Sequence, residues 1–315
     1  MRSLLLTILF IAACGDNGNN TIDAHVSIDS KSIDAPADAG PNSVALTGGA
    51  NDLLWNAATS TLYYTDDNAN KLDTWTDANG TAVVGALPTV TGPNPGGLVR
   101  LADGTMLTLN FGDGVTTGAL EEVSPAGVGT LYTGLDGTKK WLDLEQAADG
   151  TFYAAGFTGN SGAPVGRIYT LVINTTAHTV VATEILGPDT VGMEVLKKIV
   201  GMVVTADAIY GSDQTTHAII KWDRTTLAQT TFSTSALSFG DFLYQMPNGD
   251  LLTGGAAVIN RISIADGTVS VVDTGTAELV KIHGLAYDAV KHRLFAVDHQ
   301  SSTDPDTLHI FSLAQ

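Results

Sequence analysis

The sequence predicts an all-β fold, a six-bladed β-propeller whose last blade is closed by a strand from the N-terminal side of the chain. Three observations predict it. A unit of about four short strands recurs six times, Asp-Gly and Asn-Gly pairs stand between apolar runs, and the sixth unit ends one strand short while an unpaired apolar segment precedes the first.

The first strands are Asp52-Leu53-Leu54-Trp55, Gly97-Leu98-Val99-Arg100, Asp143-Leu144-Glu145-Gln146, Gly201-Met202-Val203-Val204, Asp241-Phe242-Leu243-Tyr244 and Gly284-Leu285-Ala286-Tyr287. Each sets a small or acidic residue before a large apolar one. The apolar residues Leu53, Leu98, Leu144, Met202, Phe242 and Leu285 lie 45, 46, 58, 40 and 43 positions apart, the spacing of four-stranded propeller blades. A second apolar strand follows each: Leu62-Tyr63-Tyr64, Met106-Leu107, Phe152-Tyr153, Ile209-Tyr210, Leu251-Leu252 and Leu294-Phe295. Ala102-Asp103-Gly104, Ala148-Asp149-Gly150 and Pro247-Asn248-Gly249 are the turns between them, and such pairs flanked by apolar strands signal hairpins.

Third strands alternate at period two: Leu72-Asp73-Thr74-Trp75, Leu120-Glu121-Glu122-Val123, Ile168-Tyr169-Thr170-Leu171, Ile219-Ile220-Lys221-Trp222, Ile259-Asn260-Arg261-Ile262 and Leu308-His309-Ile310-Phe311. Fourth strands are expected at 82–87, 130–135, 180–186, 229–233 and 269–273. The sixth unit has none, and Ser43-Val44-Ala45-Leu46 can supply it, which removes an exposed edge. The 58-residue interval holds an insertion in which 188–198 is expected to form a short helical turn. A sandwich or large barrel would also show many short strands, but has no reason to repeat a four-strand unit six times. One Trp222-Asp223 pair is a strand end and its turn rather than a repeat signature.

Before the repeats, Met1-Arg2-Ser3 gives a basic start and 4–13 an apolar run, half the roughly 20 residues of a membrane span. Ile11-Ala12-Ala13-Cys14 resembles a bacterial lipobox, which implies cleavage before Cys14 and its lipidation. An ordinary secretory signal is the alternative. Cys14 is the single cysteine of the chain, so no disulfide can form within it. Gly15 in place of Asp implies an outer-membrane lipoprotein of the bacterial envelope, on its periplasmic or surface face. Residues 14–42, rich in Asp, Asn, Ser, Ala and Gly, are expected to be a disordered acidic tether. A recurring Ile-Asp element at Ile22, Ile28 and Ile33 is otherwise a docking peptide. The domain boundaries are thus 1–13, 14–42 and 43–315. The formal charge of −18 becomes −19 without Arg2. Such an acidic chain is unsuited to nucleic acid, whose phosphates need Lys and Arg, and its lipid anchor rather than surface charge would hold it to a membrane. It is expected to be a monomer.

His283-Gly284-Leu285-Ala286-Tyr287-Asp288 and Leu294-Phe295-Ala296-Val297-Asp298 resemble the regucalcin and gluconolactonase-like propellers, with strictosidine-synthase-like proteins nearby. That resemblance implies a divalent metal held by Glu, Asn and Asp side chains two positions before the apolar residue of each first strand. Those positions hold Asn51, Gly96, Leu142, Val200, Gly240 and His283, of which Asn51 and His283 alone carry ligating groups. Imidazole suits zinc better than calcium.

The expected site gathers Asn51, Asp52, Asp66, Asp143, Asp213, Asp241, His283, Asp298 and His299 at one channel mouth, where carboxylates and imidazoles could bind a divalent cation, calcium or zinc, and activate water. The same aspartates could instead cap turns at strand ends. His292 falls in a hairpin at the opposite edge. Asp66-x-Asn68-x-Asn70 imitates part of a calcium loop, but Lys71 stands where Gly is needed, so a polar loop is expected. No His-Glu-x-x-His, Gly-x-Ser-x-Gly or phosphate-binding loop occurs. The function expected is a noncatalytic propeller that binds a small molecule, glycan or protein partner. The alternative is a metal-dependent lactonase or esterase.

Overall fold

The computed structural model of the chain describes residues 42–46, 48–88, 94–111, 118–159, 164–188, 198–233, 235–238, 240–275, 277–299 and 305–313. They form six four-stranded antiparallel sheets and contain no α-helix. Strand β1 (Asn42–Ala45) belongs to the last sheet. The first sheet is β2 (Ala50–Asn56), β3 (Thr61–Asp66), β4 (Lys71–Thr76) and β5 (Gly80–Ala86), and the second is β6 (Pro95–Arg100), β7 (Met106–Asn110), β8 (Leu120–Val123) and β9 (Gly129–Leu131). The third is β10 (Lys140–Gln146), β11 (Phe152–Thr158), β12 (Val165–Asn174) and β13 (Thr179–Leu186); the fourth is β14 (Ile199–Val204), β15 (Ala208–Asp213), β16 (Ala218–Asp223) and β17 (Gln229–Thr231). The fifth is β18 (Leu243–Gln245), β19 (Leu251–Gly254), β20 (Ile259–Ile262) and β21 (Val269–Val271). In the sixth, β22 (Ile282–Asp288), β23 (Arg293–Asp298) and β24 (Thr307–Ser312) are completed by β1, in the order β1-β24-β23-β22.

First strands touch in chain order, β2 with β6, β6 with β10, β10 with β14, β14 with β18, β18 with β22, and β22 returns to β2. That cycle is a closed six-bladed propeller. An apolar cluster lies between every adjacent pair of blades: Leu72 with Leu98, Leu109 with Trp141, Ile168 with Met202, Tyr210 with Leu251, Leu252 with Leu285, and Phe295 with Leu53. Because each blade packs a neighbour on both faces, second strands such as β7 and β15 are buried throughout, while the outer strands β9, β17 and β21 are half-exposed.

The predicted turns carry the geometry that glycine is needed for. Gly104, Gly150 and Gly249 have φ of 93°, 87° and 93°, and the preceding Asp103, Asp149 and Asn248 each accept a bond from the backbone N–H two residues on. Several boundaries differ from expectation. The fourth strands β9, β17 and β21 stop early; after β9 the chain turns at Gly134, φ 113°, once Thr133 has bridged to Thr179 of the next blade. The fifth first strand begins at Leu243 rather than Asp241. The signal segment, Cys14 and the tether as far as residue 41 lie outside the described residues, as does nearly all of the predicted turn over 188–198; Asn42, expected in the tether, is instead the first residue of β1.

Candidate functional site

Five of the six first strands change register against their second strand at the same place: between Ala50 and Leu53, Pro95 and Leu98, Trp141 and Asp143, Ile199 and Gly201, and Ile282 and Leu285. Such bulges re-aim side chains. Here they turn the strand starts toward the channel.

At the bulge, aspartate and glycine alternate around the ring: Asp52, Gly97, Asp143, Gly201, Asp241, Gly284. Asp52 accepts the N–H of Leu53 and, across the blade boundary, of Leu98, both at 2.8 Å. Asp143 does the same with Leu144 at 2.8 Å and Met202 at 2.5 Å. Each glycine leaves space for the aspartate of the following blade. A Cβ on Gly97 would stand 2.2 Å from Asp143 Oδ1, one on Gly201 2.6 Å from the Asp241 carbonyl, and one on Gly284 3.1 Å from Asp52 Cα. The result is a collar of three carboxyl groups in the channel.

Residues before the collar position, the ends of second strands and Asp241 of the collar itself line a cavity of about 280 Å³ that includes Asn51, Asp67, Phe111, Lys198 and His283. Residues at and beyond it line a second, of about 320 Å³, that includes Asp52, Arg100, Asp143, Glu145 and Tyr244. Burial pushes the Asp52 carboxyl up to about 7 against its two backbone donors, with help from the charge of Asp241. Asp241 is also pushed up to about 7 by burial, opposed by Lys281 and Lys198. Asp143 and Glu145 are raised by burial and by the neighbouring carboxylates.

His283 has the most restricted setting. Asn51 donates through Nδ2 to Asp67 Oδ2 at 3.3 Å and to the Pro95 carbonyl at 3.1 Å, so its Oδ1 is the atom that meets His283 Nδ1 at 3.2 Å. Burial drives the His283 pKa down to about 3, assisted by the charge of Lys281. The ring is therefore neutral, its proton sits on Nδ1, and Nε2 keeps a lone pair. Among the described residues that Nε2 has no hydrogen-bond partner, and Asp241 Oδ2 lies 3.9 Å from it. His299 stacks on the ring at 5.1 Å and is itself held by Asp306 at 2.9 Å.

Of the nine expected channel residues, Asn51, Asp52, Asp143, Asp241 and His283 line the two cavities, and His299 backs His283. Asp66, Asp213 and Asp298 do not join them. Asp66 accepts the Ala69 N–H in the polar turn that resembled a calcium loop, Asp213 accepts the N–H groups of Lys198 and Thr215 and the Thr216 hydroxyl, and Asp298 accepts those of Val280 and Lys281. They fasten second-strand ends to loops, which is the turn-capping role. His292 bonds the Tyr287 hydroxyl at the far end of its hairpin. Sequence reasoning missed Asp67, Phe111, Lys198, Gln214 and Lys281, which hold two further equivalent positions of the blades: Lys198 and Lys281 lie four residues before Met202 and Leu285, and Asp67, Phe111 and Gln214 directly follow second strands. The Asp/Gly alternation was the signal that would have found the collar.

These buried acids set a pH dependence. Asp52 and Asp241 are raised to about 7, and Glu121, buried in β8 with neither oxygen well bonded, to about 8. Between the ordinary carboxylate range and those values the folded chain holds protons that the unfolded chain has lost, so stability falls as pH rises through 6 to 8. His283 acts oppositely, but only below its unfolded pKa near 6.5. The melting temperature is expected to be about 5 °C or more lower at pH 8.5 than at pH 6, since each pKa unit is worth about 1.4 kcal/mol and 1 kcal/mol about 2–4 °C. A flat profile in a thermal scan would show these acids to be ionised at no cost.

No protein-family model matches the sequence. No curated protein matches it either. Solved structures do: a calcium-binding regucalcin from Agrobacterium tumefaciens at TM-score 0.65 and 14% identity, over 88% of this chain and 95% of that one. A gluconolactonase from Xanthomonas campestris follows at TM-score 0.62 and 14% identity, covering 89% and 97%. The virginiamycin B lyase of Staphylococcus aureus gives 0.60 and 13%, covering 87% and 99%. The chain has the regucalcin- and gluconolactonase-like propeller fold.

Within that propeller the divalent ion implied by resemblance can be tested against the residues present. Asn51 and His283 are bonded to each other, and Leu142 and Val200 pack with Phe157 and Phe111 as an apolar cluster in the wall. A side chain at Gly96 would meet the Leu142 carbonyl at 1.9 Å. Among the described residues no group of three or more His, Cys, Asp or Glu is placed to hold a metal. The donor set does not fit a calcium or zinc ion held in that manner.

Proposed function

We propose that this propeller binds a small organic molecule in the channel-mouth cavity, with His283 Nε2 as its fixed acceptor. The observation that carries this is the neutral imidazole whose Nδ1 proton is committed to Asn51 while Nε2, buried at the cavity wall, bonds none of the described residues. A buried polar atom left unmet costs about 1–3 kcal/mol, which a ligand donor would recover. Phe111, Leu142, Val200 and Phe242 offer that molecule an apolar wall. Eight of the cavity's thirteen lining residues are polar or charged, so the molecule it suits carries several polar groups beside its apolar part.

A second reading, turnover of a lactone or ester, is favoured by Asp241 beside that lone pair. Nε2 would take a proton from water as its oxygen attacks the acyl carbon, and a protonated Asp241, raised to about 7, would give one to the departing alkoxide as the C–O bond breaks. A gluconolactonase and a lyase stand among the proteins of like fold, and an alanine-for-histidine variant of the lyase is described as catalytically inactive. The lipobox at Cys14 and the acidic segment after it support a place in the bacterial envelope, anchored by lipid and exposed to small molecules there.

The test is a screen of lactones, esters and small acids by melting temperature and by product formation, with and without calcium or zinc. Binding that disappears in His283→Ala, with no metal requirement, is the expected result. Ligands that bind His283→Ala unchanged would refute the site.

A further inference from the structure

The chain carries nine lysines, and three of them converge on one mouth of the channel. Lys198 and Lys281 line the His283 cavity. Lys140, the first residue of β10, holds its Nζ 4.9 Å above the ring of Phe111, which lines the same cavity, and 5.4 Å above Phe157. The three feel one another: Lys281 and Lys140 both add to the burial that lowers the Lys198 pKa. In a chain with formal charge −18 that convergence is not a sample of the surface.

Asp241 meets part of that charge: it supports the protonated form of Lys198 and is itself held down by Lys281 and Lys198. Lys198 Nζ donates to the uncharged Gln214 Oε1 at 2.7 Å, and among the described residues neither Lys198 nor Lys140 has a carboxylate within ion-pair distance. The two carboxyl groups in the cavity wall are Asp67 and Asp241, the former pushed up to about 6 by burial and by Asp306 and Asp66. The opposite cavity has the contrary character, with Asp52, Asp143 and Glu145 against Arg100. The His283 end is therefore the more cationic end of the channel, and its concave protein walls focus that field.

We propose that the molecule bound in the His283 cavity is a compact organic anion, whose carboxylate is received by Lys198 and Lys281 while its apolar part lies on Phe111, Leu142, Val200 and Phe242. This rests on the reading that the His283 cavity holds the ligand. Lys140, pinned over Phe111, contributes field at the entrance rather than a contact. If the site also turns its ligand over, the substrate is a lactone or ester that bears a carboxylate.

Matched pairs that all keep a hydroxyl donor for Nε2 test it on the full chain: 3-hydroxybenzoate against 3-hydroxybenzyl alcohol, and a five-membered hydroxylactone with and without a ring carboxylate, followed by calorimetry at about 50 and about 500 mM salt. The carboxylate member is expected to bind about tenfold more tightly, as a charge-assisted hydrogen bond would give, and to lose most of that advantage at high salt. Lys198→Met and Lys281→Met are each expected to weaken the carboxylate member about tenfold and leave the neutral one unchanged. Equal binding of both members, lost in His283→Ala, would overturn the anion while keeping the cavity. Carboxylate binding that survives His283→Ala and Phe242→Ala would place the ligand elsewhere and overturn the cavity reading. Failure of every member to bind would overturn both.

Discussion

A chain beginning at residue 47 is expected to melt about 10–20 °C below one beginning at residue 40, and to aggregate on warming, because it lacks β1. Ser43, Val44 and Ala45 pair with His309, Leu308 and Thr307 of β24, and the Leu46 N–H continues the bonding to the Asp306 carbonyl at 2.8 Å. Leu46 is 2% exposed, within the cluster of Phe295, Leu308 and Ile310 that joins the last blade to the first. Burying such a side chain is worth about 1.5–3 kcal/mol, and with the ladder bonds and the neighbouring Val44 the total reaches about 5 kcal/mol. At about 2–4 °C per kcal/mol this gives the stated fall. The bare β24 edge supplies the aggregation. Asp306, whose Oδ2 accepts the Ala50 N–H at 2.7 Å and whose Oδ1 holds His299, would be loosened too, so the effect should reach the His283 cavity. Thermal scans of the two chains measure it, and equal melting would mean that the ring is not closed through β1.

Gly97→Ala and Gly201→Ala are each expected to cost about 3 kcal/mol or more, although alanine is the smallest possible addition. The Cβ at Gly97 would come within 2.2 Å of the Leu144 N as well as Asp143 Oδ1, and at Gly201 within 2.4 Å of the Leu243 N. Backbone atoms of the next blade cannot rotate aside, so the first strands themselves must part. Gly275→Ala is the comparison: its φ of 65° disfavours alanine, but nothing lies within 4 Å, and about 1 kcal/mol is expected. Urea unfolding of the three variants separates close packing from backbone strain. A Gly97 variant no worse than the Gly275 variant would mean that the blades are not seated against one another at the collar.

Much of the architecture is legible in the residues because it depends on local rules repeated six times. Alternating apolar strands, turns such as Asp103-Gly104 and Asp149-Gly150, and a last unit lacking its fourth strand specify blades and their closure without long-range information. The fourth strands were legible only in part, since half-exposed residues such as Gln229 and Val269 carry weak periodicity and the chain leaves the sheet when a neighbouring blade draws it away, as at Thr133. The site was less legible still. Asp52 and Asp66 look alike in the sequence, both acidic at a strand end, and the bulge between Ala50 and Leu53 is what sends Asn51 toward one cavity and Asp52 toward the other. Asp66 has no bulge and caps a turn. The lysines share one position of the repeat, Lys140, Lys198 and Lys281 each four residues before Leu144, Met202 and Leu285, but Gly49, Asn94 and Ser238 hold it in the other blades, so it carries no uniform signal.

His283 is the point where fold, electrostatics and chemistry meet, and nitrogen-15 resonances of the imidazole rings report on it directly. At every pH from about 5 to 8 the His283 ring is expected to stay neutral, since its pKa lies near 3, with a protonated pyrrole-type Nδ1 and an unprotonated pyridine-type Nε2 that shifts when a ligand donor arrives. A ring that titrates near its ordinary value of about 6.5, or one that carries its proton on Nε2, would contradict the site described here.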